Sequence, residues 1–281
     1  MTTARKRAAV DALAVRYPKA SERRRCRVVC LRRSSWRYVP KPKDDVAIQN
    51  DLDKLAKANP RYGYRRMTVL LREQGWRVNA KRVYRLWRQA GLKVPKRQVR
   101  RRRLGDAAPE GVRYRAAHKN HVWSYDFVSD QTDDGRAVRY LTLVDEYTRE
   151  SLAIHVGRSI RSVDLIQVLR GVFTSRGAPQ FIRSDNGPEF IAKNLKSFLA
   201  TTNVATLYIS PGSPWENPYI ESFNARFRDE VLNAEIFVSL IEAKIMTEKW
   251  RYQYNNKRPH SSLGYLTPTQ YSENEPQNPI A

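Results

Sequence analysis

Apolar residues recur at helical spacing through the first 92 residues of the chain. A short helix is predicted from the N-cap residue Ser21 through Cys30, and a longer one at about residues 44–58. Two further apolar stripes are Tyr64, Met67, Leu70 and Leu71, and then Val83, Leu86, Trp87 and Ala90. The first of these helices ends near Gly75, and Asn79 is a suitable N-cap for the second. The pair predicts a helix-turn-helix at about residues 61–91.

From residue 122 onward the pattern changes to short segments typical of β-structure. Strands are predicted at 122–129, 138–146, 151–156, 180–184 and 205–209. Helices are predicted at about 162–175, 195–202, 216–232 and 239–254. Three successive strands followed by alternating helices and strands indicate an α/β domain with a mixed sheet, preceded by an all-helical region.

Positive charge is confined to the helical part of the chain. The whole sequence of 281 residues carries a formal net charge of +24. Residues 1–120 hold 35 lysines and arginines against 9 acidic residues, whereas residues 121–281 hold 17 against 19. A surface for a polyanion is therefore expected, and nucleic acid fits best because neutralising its phosphates releases condensed counterions. An acidic membrane surface is the alternative, but it favours an amphipathic helix with a wide apolar face.

The polar residues of the second helix of the pair lie on the side opposite its apolar stripe. There they can contact phosphates and base edges of DNA. These residues are Lys81, Arg82, Arg85, Arg88 and Gln89. A solvated basic helix face is the alternative interpretation. Residues 93–120 form an Arg-rich linker, and its run includes Arg101, Arg102 and Arg103. We expect this run to lie along a DNA backbone; a nuclear-targeting signal is the alternative.

The remaining composition points to a cytoplasmic protein without membrane partners. No apolar run is long enough to span a bilayer, and no secretory signal is recognisable at the N-terminus. Cys26 and Cys30 are too few for a disulfide framework and fit a reducing compartment. They lie one helical turn apart, and buried thiols are expected. A zinc site is the alternative, but no nearby His or Cys completes a ligand set.

Three carboxylates of the α/β region are candidates for metal chemistry. Asp126 lies within an apolar strand, Asp185 directly follows a strand, and Glu221 lies beside the apolar stripe of a helix. Carboxylates that converge from two strands and a helix suit hard cations such as Mg²⁺ or Mn²⁺. Two such ions can promote phosphodiester displacement. Taken singly, each acid has another explanation: a buried ion pair for Asp126, a turn for Asp185, and the helix dipole for Glu221.

Several segments resemble one family of DNA-processing enzymes. Thirty-five residues separate Asp185 from Glu221, the spacing of the D-D-35-E transposases and retroviral integrases. The segments SDNGPEF at 184–190 and NPYIESF at 217–223 are similar to that superfamily's second-aspartate and glutamate motifs. RYGYRR at 61–66, NAKRVYRL at 79–86 and RPHSSLGY at 258–265 resemble the second-frame protein of the IS-three group of bacterial insertion sequences. The resemblance covers about residues 21–271.

This resemblance implies an RNase H-like catalytic core with two Mg²⁺ ions held by Asp126, Asp185 and Glu221. It implies double-stranded DNA as partner, both terminal inverted repeats and target DNA, and places Arg228 where the family usually carries a basic residue that could hold DNA phosphate. A homo-oligomer on DNA and a nucleoid-associated location in a bacterial cytoplasm are expected. In that group the active enzyme is usually a frameshift fusion with an upstream-frame protein.

The sequence therefore predicts a metal-dependent DNA transposase in four parts. These are a basic helical DNA-binding region at 1–92, the linker at 93–120, the catalytic core at 121–271 and a polar tail at 272–281. A catalytically silent DNA-binding repressor or transposase relic is the main alternative, and a nuclease of the same fold that cuts without joining is another. His260 and Tyr265 could contact DNA near the site, but packing of the C-terminal helix explains them equally well.

Overall fold

The computed structural model describes residues 1–39, 45–94, 114–184, 193–209 and 217–274. Its internal contacts separate two units, residues 1–50 and residues 51–281. No helix in these described ranges is long and apolar enough to cross a membrane.

The first unit is helical. It contains α1 (Thr3–Arg16), α2 (Glu22–Val28), α3 (Arg33–Arg37) and the beginning of α4 (Val46–Ala58), which continues into the second unit. Ser21 caps α2 as predicted, because its hydroxyl accepts from the backbone N–H of Arg24 at 3.3 Å. Cys26 is buried, but Cys30 is exposed, so the expectation of buried thiols was wrong for Cys30. Cys30 follows the end of α2 in the left-handed backbone region, with φ 52°.

The predicted helix pair is present in the second unit as α5 (Tyr64–Glu73) and α6 (Ala80–Gln89). The side chain of Asn79 caps α6 by accepting from Arg82 N–H at 2.7 Å. The apolar stripes face each other and are buried at Met67, Leu71, Val83, Leu86 and Trp87. Ala90 is exposed, contrary to its place in the predicted stripe, because α6 ends at Gln89.

A mixed five-stranded sheet follows. Its strands are β1 (Val122–Gln131), β2 (Ala137–Asp145), β3 (Ser151–Gly157), β4 (Phe181–Ser184) and β5 (Ala205–Tyr208). Their order across the sheet is β3-β2-β1-β4-β5. The first three strands pair antiparallel, whereas β4 runs parallel to both β1 and β5. This mixed sheet is the predicted one, and β1 is its central strand.

Helices cover both faces of the sheet. On one face lie α7 (Ser162–Arg176) and α8 (Lys193–Thr201), and their leucines pack against Trp123, Tyr125 and Ile182. On the other face lie α9 (Pro218–Phe227) and α10 (Leu240–Asn256). Their apolar residues pack against Val128, Tyr140 and other residues of β1 and β2. A short 3₁₀ turn (Ser261–Leu263) and α11 (Pro268–Glu273) complete the unit.

The helix predicted at about 216–232 differs from the structure in its second half. The α-helical part ends at Phe227, and residues Arg228–Leu232 form a π-helical turn. The wider turn accompanies the burial of two consecutive residues, Val231 and Leu232.

Candidate active site

Asp126 lies in the middle of β1, opposite Thr142 of β2. Its side chain is half-buried and shares a face of the strand with Val128, the face that α9 covers. Its Oδ1 accepts from the backbone N–H of Phe127 at 2.7 Å, and its Oδ2 accepts from the Nδ2 amide of Asn224 at 2.8 Å. The carboxylate is thus fixed by hydrogen bonds to both oxygens.

Asn224 is a functional candidate that the sequence interpretation missed. It lies on α9 and is half-buried, and the Thr142 hydroxyl donates to its Oδ1 at 2.9 Å. This contact fixes the orientation of the amide, so that Nδ2 faces Asp126. One signal was available in the sequence: Asn224 stands three residues after Glu221, on the same side of a helix.

Glu221 occupies the first turn of α9, which begins with Pro218. The buried stripe of this helix is Ile220, Phe223 and Phe227, so Glu221 lies on its flank, as predicted, and is exposed. Residues three apart on a helix have Cβ atoms roughly 5–6 Å apart. The hydrogen bond from Asn224 to Asp126 therefore brings the Glu221 side of α9 close to the Asp126 carboxylate.

Asp185 lies outside the described residues, as do Arg101, Arg102 and Arg103. The strand before Asp185 is described, and it pairs in parallel with β1, with Ser124 opposite Arg183. Within the part of the chain that the structure describes, no group of three His, Cys, Asp or Glu side chains forms a metal site. Two of the three predicted carboxylates, Asp126 and Glu221, belong to that part.

Arg228 begins the π-helical turn after α9 and is exposed. Its Nη2 donates to the carbonyl of Ser129, near the end of β1, at 3.2 Å. This contact holds the guanidinium beside the strand that carries Asp126.

Asp145 and Glu146 at the end of β2 connect neighbouring elements of the core. Asp145 accepts from the N–H of Asn120 at 2.9 Å and of Tyr147 at 2.8 Å, and burial raises the pKa of its carboxyl. Glu146 accepts from Arg183 Nε at 2.8 Å and from the hydroxyl of Ser124. The two acids thus join the ends of strands β1, β2 and β4.

The outward face of α6 carries the predicted DNA-contact residues. Four of them are exposed: Lys81, Arg85, Arg88 and Gln89. Arg82 is half-buried, and the Arg88 guanidinium lies over the ring of Tyr84 at 5.9 Å. This face is basic and has no acidic residue between Ala80 and Gln89.

Comparison with known protein families agrees with this architecture. Residues 116–214 and 202–268 match two models described as integrase core domain, and residues 43–103 match an HTH-like domain. An uncharacterised protein of insertion element IS407 from Burkholderia multivorans is 40% identical over 253 residues, which are 90% of each chain. The transposase InsD of an Escherichia coli insertion element is 29% identical over 230 residues, 75% of this chain and 73% of InsD.

The fold also resembles a solved structure. A chain of the simian T-cell lymphotropic virus intasome superimposes with a TM-score of 0.51 over 82% of this chain and 76% of its own length, at 15% identity. This likeness confirms the retroviral-integrase type of core, and the HTH-like match confirms the helical region before it. The chain belongs to the DDE transposases of the IS-three group of bacterial insertion sequences.

Proposed function

We propose that this protein cleaves and joins DNA strands at the ends of an insertion sequence by metal-dependent phosphodiester transfer. Asp126, Asp185 and Glu221 are its catalytic carboxylates in this proposal. Asn224 is a positioning residue, because it acts through Asp126.

The hydrogen bond between Asn224 and Asp126 is the observation that carries the proposal. It joins α9, which carries Glu221, to β1 at the position of Asp126. The proposal requires these two acids to lie close together. Asp185 follows Ser184, the last residue of β4, and β4 is the parallel neighbour of β1. In open α/β sheets, ligands gather at the carboxyl ends of parallel strands. The topology thus supports a common location for the three acids.

The donor set fits a hard divalent cation. Carboxylate oxygens are the ligands that Mg²⁺ and Mn²⁺ prefer, and hydrogen bonds to a ligating carboxylate commonly fix its orientation. Asp126 has both features, since its carboxylate accepts hydrogen bonds from Phe127 and Asn224. Two bound ions would neutralise charge on the attacking and leaving oxygens of the phosphodiester.

The chain's own groups orient the reaction. In the first step a water oxygen forms a bond to phosphorus at the end of the insertion sequence, and the bond to the 3′-oxygen breaks. In the second step the freed 3′-hydroxyl forms a bond to a target phosphorus, and the target's own 3′-oxygen leaves. The exposed position of Glu221 leaves that side of the site open to a DNA strand, and Arg228 lies on the same helical segment.

The basic helical region supplies DNA binding in this proposal. Residues 1–92 bind the terminal inverted repeats, and residues 93–120 link them to the core, whose last helix α11 ends at Glu273. The exposed basic face of α6 supports contact with a DNA groove. The protein acts as a homo-oligomer on DNA, and an upstream-frame partner or fusion completes the active transposase.

Substitution of the three acids tests the proposal. Asp126→Asn, Asp185→Asn and Glu221→Gln are compared with the parent chain for Mg²⁺-dependent nicking of a labelled inverted-repeat end and joining of a pre-cleaved end. Each variant is expected to lose both activities while it retains DNA binding. Glu235→Gln is the matched control, since Glu235 is exposed beyond the π-helical turn.

The outcomes separate the proposal from its alternatives. Full activity in any acid variant removes that residue from the site. A parent chain that nicks but never joins is a nuclease. A parent chain, or its fusion with the upstream frame, that binds the ends without nicking is a DNA-binding protein and contradicts the proposal.

A further inference from the structure

Four arginines line one cavity in the second unit. The cavity has a volume of about 330 Å³. It lies between α5, the turn after β2, the first part of α9, the end of α10 and the segment that follows it. Its arginines are Arg66, Arg149, Arg226 and Arg258. The cavity exceeds the roughly 30 Å³ share of one liquid water about tenfold, so it has room for a polyatomic anion.

The cavity lining is strongly positive. Among the described residues that line it, none carries a carboxylate. Arg258 is neutralised by Glu230, whose Oε1 accepts from Arg258 Nη2 at 2.6 Å. Like charges that converge in a half-buried space repel one another. A bound anion would reduce that repulsion.

Arg149 is held in place by an aromatic ring rather than by an acid. Its Cζ lies 3.6 Å from the ring centre of Tyr219, which also lines the cavity. Its Nη1 is buried and has no hydrogen-bond partner among the residues that the structure describes. A guanidinium has donors only, and an unsatisfied buried donor costs free energy unless a ligand oxygen accepts from it.

Two neighbouring groups respond to the same positive field. Burial and then the nearby Arg258 lower the pKa of Arg66 to about 10. Burial, followed by Arg258 and Arg66, lowers the pKa of His260 to about 2, so the imidazole is neutral. Burial is the larger cause of both shifts, and the part that comes from neighbouring arginines shows that a further positive charge is unfavourable here.

We propose that this cavity binds a phosphodiester group of the DNA strand that passes Glu221. Guanidinium forks match phosphate oxygens, and a phosphodiester is anionic with acceptors only. The cavity also includes Tyr219 and Ser222, which stand two residues before and one residue after Glu221. Arg66 comes from α5 of the helix pair, so the bound phosphate connects the DNA-binding region to the catalytic core. The inference rests on the proposed function for the choice of DNA.

The test uses Arg149→Asn in the full chain. Arg149 has φ 64°, a backbone region that asparagine tolerates well, so this variant removes the charge without backbone strain. Binding to a short labelled duplex is measured in EDTA by fluorescence anisotropy across a series of salt concentrations. The slope of log K against log salt is expected to fall in magnitude by about 0.9, the value for one phosphate contact on B-DNA.

Two companion variants make the result specific. Lys249→Gln removes one positive charge from an exposed position of α10 and is expected to leave the slope unchanged. Arg149→Lys retains the charge and is expected to keep the slope of the parent chain. If Arg149→Asn does not fold, the slope of Arg149→Lys is compared instead with that of Arg149→Gln, which lacks the charge. Thermal unfolding of each chain checks that it is folded.

An unchanged slope in a folded Arg149→Asn chain overturns the inference. If inorganic phosphate nevertheless raises the unfolding temperature of the parent chain but not of this variant, the cavity is a site for free phosphate instead. Because the assay contains no divalent cation, it is independent of cleavage. Nicking by the Asp126, Asp185 and Glu221 variants would therefore refute the proposed function, whereas the salt dependence of DNA binding alone decides whether the cavity binds a phosphodiester.

Discussion

Asn224 of α9 donates its amide Nδ2 to Oδ2 of Asp126 in β1 at 2.8 Å, across 98 positions of sequence. The Oδ1 of the same amide accepts from the Thr142 hydroxyl. The two hydrogen bonds together fix which side of the amide is oxygen and which is nitrogen. A single side chain thus connects the central strand to the helix that carries Glu221.

Asn224→Ala is expected to reduce nicking by about 10- to 100-fold, the usual cost of removing a group that orients a metal-ligating carboxylate. DNA affinity is expected to stay unchanged, because the DNA-binding face of α6 is untouched. A higher Mg²⁺ concentration should restore part of the nicking activity. The nicking rate is therefore measured over a series of Mg²⁺ concentrations. Asn233→Ala, at an exposed position, is the control. An Asn224→Ala chain with the parent rate at every Mg²⁺ concentration would show that Asp126 needs no such support.

The strands and most helices of this fold were predictable because each buries residues at its own period. Asp126 stands out in the sequence for a related reason, since a charge within an apolar strand departs from the local pattern, whereas Glu221 was singled out by its spacing from Asp185 and by its motif. Such departures are visible in the sequence without knowledge of the contacts.

Asn224 was not predictable in the same way. An amide on the flank of a helix breaks no pattern, and its importance comes from a strand 98 positions away. The Arg66 contact is of the same kind, since its Nε donates to the carbonyl of Pro259, 193 positions distant, at 3.1 Å. The π-helical turn after Phe227 was also missed, because the apolar period predicted one continuous helix at about residues 216–232. Asp185 lies outside the described residues, and its place in the site stays a prediction.

Arg85→Ala and Arg88→Ala are each expected to weaken DNA binding. Both side chains are exposed on α6, and removal of one bound phosphate should flatten the salt dependence by roughly one unit of slope. Anisotropy with a labelled duplex across a salt series measures this change. Arg170→Ala on α7 is the matched control, because it removes an exposed arginine from a helix of the catalytic core. Equal effects from all three substitutions would indicate a general charge effect rather than recognition by α6.

Arg258→Met is expected to lower the free energy of unfolding by about 3–5 kcal/mol, because it leaves a buried carboxylate without its partner. Arg258 donates to Glu230 through Nε and Nη2, at 3.1 and 2.6 Å, and both side chains are almost fully buried. Urea unfolding followed by tryptophan fluorescence measures the decrease.

The double variant Arg258→Met with Glu230→Leu is the control for that substitution. It removes both charges, so most of the stability should return. A double variant as unstable as Arg258→Met alone would mean that packing of the arginine, rather than its charge, stabilises this region.

His260 should make stability fall as the solution is acidified. Its folded pKa is lowered to about 2, chiefly by burial and then by Arg258, whereas the unfolded residue has an ordinary value near 6.5. Below pH 6.5 the unfolded chain therefore binds a proton at His260 that the folded chain does not bind. The contribution of the neutral imidazole to the free energy of unfolding is present above that pH and is lost below it. Between pH 7.5 and 5.5 the loss from His260 is about 1.4 kcal/mol.

His260→Asn is expected to remove this part of the pH dependence, although the absence of the ring contact with Tyr254, at 4.7 Å between centroids, lowers stability at every pH. Urea unfolding at pH 7.5 and 5.5, in buffer free of phosphate, measures the difference between the two pH values for each chain. His118→Asn replaces an exposed histidine and should retain the parent difference. If His260→Asn retains it as well, the imidazole is protonated in the folded protein, and the field of the surrounding arginines is weaker than their positions imply.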